Sequence, residues 1–412
     1  MLWRSLNEKS LLALGVLGAF AGAAHAQSSV TLYGIIDAGI SYVSNEVNAG
    51  NNANTTSGSK NFKFSNGNLQ GSRWGLKGAE DLGGGLKAIF VLENGFSLGN
   101  GTLGQGGRMF GRQAYVGLSS ATAGTVTIGR QYDSVVDFVG PLAVGSQWAT
   151  FSGAHPFDND NLNNSFRINN SVKYTSANYA GFTFGGLYGF SNQSNNGGGS
   201  GFANNRAWSA GLGYANGPLT LGAGYLYIGT PGNGTAGAIN GDYANLNEVG
   251  AWNNGTVGTA ATTSVVDKQQ IYAAGGSFAF GPATVGLVYS HSKFDYLPGV
   301  GGGSWKFDNI EANAKYMLTP ALQLGLSYTY TWSKLSGNTV AANLYNSGGA
   351  EVSPKWHQVN LGVDYFLSKR TDTYLVGNWQ HATNGSWAQL NGQPASSSAN
   401  QFAVTAGIRH KF

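Results

Sequence analysis

The chain has 412 residues, a formal net charge of +4, 42% hydrophobic residues, 65 glycines and only 10% charged residues. A soluble domain carries about 25% charged residues, so this composition cannot coat an ordinary globular surface. The small positive excess is not the concentrated basic patch that nucleic acid requires, and the absence of cysteine excludes disulfides, thiol catalysis and thiolate metal sites.

The N-terminus reads as an export signal over residues 1–26. Arg4 and Lys9 supply a basic start, Leu11–Gly22 an apolar core, and Ala24-His25-Ala26 a small-x-small cleavage site before Gln27. The apolar core is too short for a membrane-spanning helix, which needs about 20 residues. Cleavage removes Arg4, Glu8 and Lys9, so the formal charge falls from +4 to +3. Residues 27–412 are then the mature domain.

Past Gln27 no run of apolar residues is long enough to span a membrane as a helix, and the dominant pattern has period two. In the first strand Val30, Leu32, Gly34, Ile36, Ala38, Ile40 and Tyr42 share one face, while Thr31, Tyr33, Ile35, Asp37, Gly39 and Ser41 share the other. Further segments follow, joined by links that alternate in length. The short links are 81–85, 120–124, 178–181, 216–218, 281–282, 319–320 and 368–371, all with Gly, Asn, Pro or Ser turn chemistry. The long ones are 45–69, 97–108, 134–165, 191–205, 230–266, 293–305, 336–354 and 384–400. The last strand, Gln401–Phe412, sets Phe402, Val404, Ala406, Ile408, His410 and Phe412 against Gln401, Thr405, Arg409 and Lys411.

Seven short turns and eight long loops imply sixteen strands. An even number of antiparallel strands with short turns at one end and long loops at the other is the pattern of an outer-membrane β-barrel, short turns periplasmic and long loops extracellular. Hydrocarbon demands that every backbone polar group be paired, which a closed barrel achieves without an edge. Sixteen strands enclose a lumen too wide for side chains to fill. The expected fold is an all-β, sixteen-stranded antiparallel transmembrane barrel with an aqueous interior.

Alternation assigns the charges. Trp74 and Leu76 outward place Arg73 and Lys77 inward, and Asp37 is inward in the first strand. Ile168, Val172 and Tyr174 outward place Arg167 and Lys173 inward. With Val126 and Ile128 outward, strict alternation would put Arg130 in lipid at a cost of about 2–4 kcal/mol, so a bulge near Gly129 is expected to turn it inward. Arg112 is assigned to the lumen although its strand fits both phases.

Other chemistries are weaker. Gly99–Gly104 and Gly232–Gly237 match G-x-G-x-x-G, but neither leads into a helix that could take a phosphate. His155, His291, His357, His381 and His410 lack zinc-ligand spacing. No G-x-S-x-G elbow marks a hydrolase. Asp158-Asn159-Asp160-Asn161 opens like a calcium loop but lacks its sixth-position Gly and terminal Glu. No cofactor is implied and no catalysis is expected. A saturable solute site is the alternative to simple diffusion, with Tyr33 and Trp148 as candidate aromatic steps.

Ser29–Ser41, Ser72–Phe90, Phe110–Tyr132 and the terminal Arg409-His410-Lys411-Phe412 resemble the general porins of Gram-negative bacteria, in their β-proteobacterial branch. The resemblance implies a homotrimer in the outer membrane whose third loop folds into the lumen and forms a constriction. By the count above that loop is 134–165, with Asp137, Asp158 and Asp160, stiffened by Pro141 and Pro156. The arginines matching Arg73 and Arg130 line that constriction in the family. Leu32, Ile36, Trp74 and Phe90 are candidates for the trimer interface, and Phe412 resembles the signal read by the barrel-assembly machinery. The implied partners are outer-membrane lipid and lipopolysaccharide, and small hydrophilic solutes and ions, with weak anion selectivity.

Overall fold

Each strand of this protein finds its partners in its neighbours in sequence, and the last returns to the first. The computed structural model describes residues 29–47, 57–192, 205–231, 237–239, 243, 266–298, 302–337, 353–384 and 386–412. The proposed signal, residues 1–26, lies outside them, as do residues 232–236 of the second glycine-rich match.

The strands are β1 (Ser29–Glu46), β2 (Ser59–Asn66), β3 (Arg73–Gly83), β4 (Leu86–Gly95), β5 (Gln113–Ser120), β6 (Gly124–Gln131), β7 (Ile168–Thr175), β8 (Phe182–Gly189) and β9 (Ala207–Asn216). They continue as β10 (Leu219–Gly229), β11 (Val266–Phe280), β12 (Ala283–Tyr296), β13 (Ser304–Thr319), β14 (Leu322–Ser336), β15 (Lys355–Phe366), β16 (Thr371–Thr383) and β17 (Asn400–Lys411). All the pairings among them are antiparallel, and β17 pairs with β1 to close the wall. β3 pairs with the first part of β1 and β2 with the rest, so the two segments fill one place in a sixteen-stranded barrel.

β2 corrects the sequence reading, which assigned 45–69 wholly to a loop. Its alternation is short, and only Phe62 and Phe64 mark the outward phase, both exposed. Asp37 explains the break between β2 and β3. One of its carboxylate oxygens accepts the backbone N–H groups of Leu69 and Gln70, each at 2.8 Å, and the other accepts the Tyr374 hydroxyl at 2.5 Å. Asp37 is therefore inward but fully buried, a fastener of the wall.

Outward positions such as Val30, Leu32, Ile40, Val116, Ile128, Leu212, Leu287, Leu326, Leu361 and Ile408 are exposed around the wall. On a closed barrel that belt can only face lipid. The seam between the chain ends is made by Phe412 and Gly34, each N–H donating to the other's carbonyl at 3.1 Å. The Phe412 ring lies where a Cβ on residue 34 would sit, so glycine is required there.

The expected irregularity at Gly129 is present. The β6–β7 register shifts between Gly129 and Gln131, Gly129 has φ +143°, and Asn170 opposite has φ +50°. The extra residue lies on β7, however, so β6 keeps its phase and the expected inward turn of Arg130 is not found. Arg130 pairs with Ala114, in line with outward Val116 and Ile128, while Gln131 is inward beside Thr127. Arg130 is buried against Gly111 and Asn169 at the long-loop end of the strand. The same shift overturns the outward assignment of Ile168, which is fully buried, because the extra residue at Asn170 inverts the phase before Ser171.

Candidate functional site

The third loop leaves β6 through the short helix α1 (Ser134–Phe138). Asp133 caps it, its carboxylate accepting from the N–H groups of Val135 at 2.8 Å and Val136 at 3.2 Å. From there the chain folds into the barrel and runs across the inner wall in a series of single 3-10 turns. Two glycine positions let it lie flat. A Cβ at Gly222 would collide with the Phe138 carbonyl oxygen, and one at Gly325 with the Trp148 ring.

A loop lying on a wall brings unpaired backbone groups with it, and buried polar groups must be satisfied. The inward amides and hydroxyls of β11–β16 satisfy them. Gln358 donates to the Ala154 carbonyl at 3.0 Å, Asn378 to Ala149 at 2.9 Å, Asn313 to Leu142 at 3.1 Å, and Gln269 and Ser292 to Asn159 at 2.9 and 2.6 Å. Glu311 accepts the Val144 N–H at 2.9 Å. Nearer the long-loop end the wall turns apolar. There Phe157 from the loop packs among Trp305, Phe307 and Trp356, with ring centroids 5.4–6.5 Å away.

Asp158 and Asp160, expected to face the lumen, are buried in this loop–wall seam. Asp158 accepts the N–H groups of Asn163 at 2.9 Å and Ser165 at 3.1 Å. Asp160 bonds His155 Nδ1 at 2.6 Å and also accepts from Ser290, while His155 Nε2 lies 3.3 Å from Glu311. Burial opposes a charge on His155, but the two carboxylates prevail and push it up to about 10. Burial, then repulsion from Asp160, pushes Asp158 up to about 7. Trp148 is likewise buried, against Gly325 and Gly362, and presents no aromatic step to solute.

The opposite side is different. Arg73, Lys77, Arg112, Arg167 and Lys173 come together along the inner side of β3–β7, whereas Arg130, also expected there, stands on the outward phase of β6. Arg73 donates to the Gly71 carbonyl at 2.9 Å. Lys77 is exposed, with its ammonium 5.3 Å from the centre of the Tyr33 ring. Arg112 pairs with Glu93 at 2.8 Å and donates to the Tyr132 hydroxyl at 3.0 Å. Arg130 donates to the Gly111 carbonyl at 2.8 Å and to Asn169. Arg167 lies over the Tyr132 ring at 5.8 Å, and Lys173 pairs with exposed Asp137 of α1.

Glu93 is the organiser that sequence reading missed. Tyr33 donates its hydroxyl to Glu93 at 3.0 Å across Gly75, whose missing side chain leaves the path open. Glu93 shares the inward phase of Ile89 and Val91, and only that alternation could have flagged it.

The remaining expected positions lie on the outside. Leu32 and Ile36 are exposed; Trp74 and Phe90 are half-buried on the same outward face, Trp74 opposite Gly34 and Phe90 over Gly78. Among the described residues no group of three or more His, Asp or Glu side chains is arranged to hold a metal ion.

A family model described as Gram-negative porin matches residues 13–336. An outer membrane porin protein of Bordetella pertussis is 34% identical over 98% of this chain and its own full length. Outer membrane porin protein 32 of Delftia acidovorans is 30% identical with the same coverage. Among solved structures, an anion-selective porin from Comamonas acidovorans superposes with a TM-score of 0.69 at 25% identity, over 94% of this chain and 100% of that one.

Proposed function

This chain belongs to the Gram-negative porin family, and from that premise we propose that its basic wall and inward third loop form the selective waist of the channel. The protein is an outer-membrane β-barrel through which small hydrophilic solutes diffuse passively.

The observation that carries the selectivity reading is how the acids near the waist are engaged. Glu93 is held by Arg112 and Asp137 by Lys173, while Asp158 and Asp160 are buried beneath the loop. The third-loop aspartates therefore offset the wall less than their number suggests. Arg73 and Lys77 stand on the same side, together with Arg167. Rings of charged side chains set selectivity in pores, and low-dielectric walls strengthen their field. The lumen prefers anions weakly, and salt with a Debye length of about 8 Å at physiological strength attenuates the preference. The anion-selective porin from Comamonas acidovorans, similar along almost the whole chain, supports this reading. In a tenfold potassium chloride gradient across a planar bilayer, Arg73→Ser with Arg167→Ser should move the zero-current potential toward cations. An unchanged potential would remove both residues from the waist.

The outward face of Leu32, Ile36, Trp74 and Phe90 is the surface through which the barrel forms a homotrimer, and Phe412 is read by the assembly machinery. Deleting Phe412 should sharply lower outer-membrane yield, because one ring contributes only about 1.5–3 kcal/mol by burial. Normal yield, or a monomer by light scattering of the intact protein in mild detergent, counts against these two assignments respectively.

A further inference from the structure

Between the tip of the third loop and the wall behind it lies a recess of about 240 Å3, away from the basic side of the lumen. Ser41 of β1, Ser65 of β2 and Thr405 of β17 line it from the wall, Phe151 from the third loop and Gln393 from the last long loop.

The wall contributes a chain of hydroxyls. Thr405 stands directly opposite Ser41 in the β1–β17 register, and Ser41 bonds both Thr405 and Ser65 at 2.8 Å. Each hydroxyl has one donor and two acceptor sites, so these two bonds leave the chain capacity for more. On the loop side Gln393 donates its amide N–H to Ser152 at 2.8 Å, while its Oε1 is buried without a hydrogen-bond partner. A buried acceptor is costly to leave unmade, so this position favours a ligand group that donates.

The loop tip is bent to hold this geometry. Thr150 has φ +66°, a conformation that disfavours a β-branched residue, and its hydroxyl donates to Asn378 at 3.2 Å. The bend brings the Phe151 N–H to the Asn68 carbonyl at 2.7 Å, just past the end of β2. A Cβ at Gly392 would strike the Phe151 ring, so the last loop lies directly on that ring and fixes it, with part of the ring still exposed. Strain of this kind persists only where surrounding contacts impose it, and it clusters at ligand sites.

Charge and size define the occupant. Lys63, the cation at the edge of the recess, pairs with Glu46, which also accepts from Asn61 at 2.6 Å. The recess therefore offers hydroxyls, an amide and an aromatic surface with its charge balanced. Pockets for drug-sized ligands measure about 300–1,000 Å3, so this one takes something smaller.

We propose that the recess is a saturable binding site for a neutral polyhydroxy solute of monosaccharide size. Gln393 and the Ser41–Ser65–Thr405 chain bond its hydroxyls, and its C–H face packs on Phe151. The proposal rests on the diffusion-channel reading and adds to it a resting place beside the third loop, where bound solute obstructs ion flow.

The test follows the potassium chloride conductance of single channels of the intact, assembled protein in planar bilayers as D-glucose is titrated. Glucose should lower conductance along a saturating curve in the millimolar range, beyond the linear fall that viscosity produces. Sucrose, of the same chemistry but too large for the recess, should give only the linear fall. Gln393→Leu should raise the half-saturating glucose concentration by about tenfold, the effect of losing a hydrogen bond or two. Because Gln393 also ties the last loop to Ser152, Ser65→Ala with Thr405→Val tests the site from the wall and should give a similar rise. Wild-type saturation in the wall variant overturns the proposal, as does equal saturation by sucrose. A wild type that conducts but responds only linearly to glucose overturns it too, whereas a wild type that does not conduct overturns the channel reading beneath it.

Discussion

On β3–β7 the inward positions are basic and aromatic and look across the lumen; on β11–β16 they are amides, hydroxyls and, toward the long loops, large apolar rings that lie under the third loop. Both walls come from the same alternation. The difference is whether a loop covers them. In this barrel an inward position is therefore not the same as a pore-lining one: Asn309, Glu311, Gln358, Asn360 and Asn378 are fully buried, whereas Lys77 is exposed. The covered wall behaves as a protein core with a polar layer, and the open wall carries the charges that solutes meet.

The largest effect should come from removing what holds the loop to its wall. Trp148→Ala takes a buried ring from between Gly325 and Gly362, and such truncations cost about 3–5 kcal/mol. The loop should lift, raising both single-channel conductance and the size of permeant sugars while the barrel remains closed. Wild-type conductance with a wild-type melting temperature would show that the ring is not what seats the loop.

An intermediate effect should follow pH. His155 is raised from 6.5 to about 10, so the stability it gives the loop is complete below 6.5 and is lost as pH rises toward 10. Asp158, raised from 3.8 to about 7, adds a decline that begins at lower pH. Melting temperature should fall across the alkaline window in wild type. His155→Gln should remove that alkaline part of the slope; an identical slope in the variant would exclude His155 as its source.

The smallest effect belongs to the open wall. Lys173→Gln frees exposed Asp137, replacing a neutral pair with one negative charge at the waist. The reversal potential should shift toward cations by less than in the Arg73 and Arg167 double variant. An equal or opposite shift would show that the Lys173–Asp137 pair does not shield the aspartate from the lumen.

Local chemistry was enough to announce the barrel. Period-two alternation, glycine and asparagine turns and the contrast between short and long links specify antiparallel neighbours, because each of those signals acts over a few residues. An irregularity near Gly129 was legible, but its outcome was not: the extra residue lies on β7, and Arg130 keeps the outward phase of β6, buried against Gly111 and Asn169. What only the tertiary structure decided is which inward groups meet water. Asp158 and Asp160 read as lumen charges until the loop is laid on the wall, where His155 and backbone N–H groups enclose them. Trp148 became a buried anchor for the same reason, Asp37 a fastener through Leu69, Gln70 and Tyr374, and Ile168 an inward residue through the extra residue on β7. Glu93 gained its place from Tyr33, Arg112 and Tyr132, residues 60, 19 and 39 positions away. Alternation tells which face a side chain takes; burial and pairing depend on what the rest of the chain brings to that face, and no local pattern encodes it.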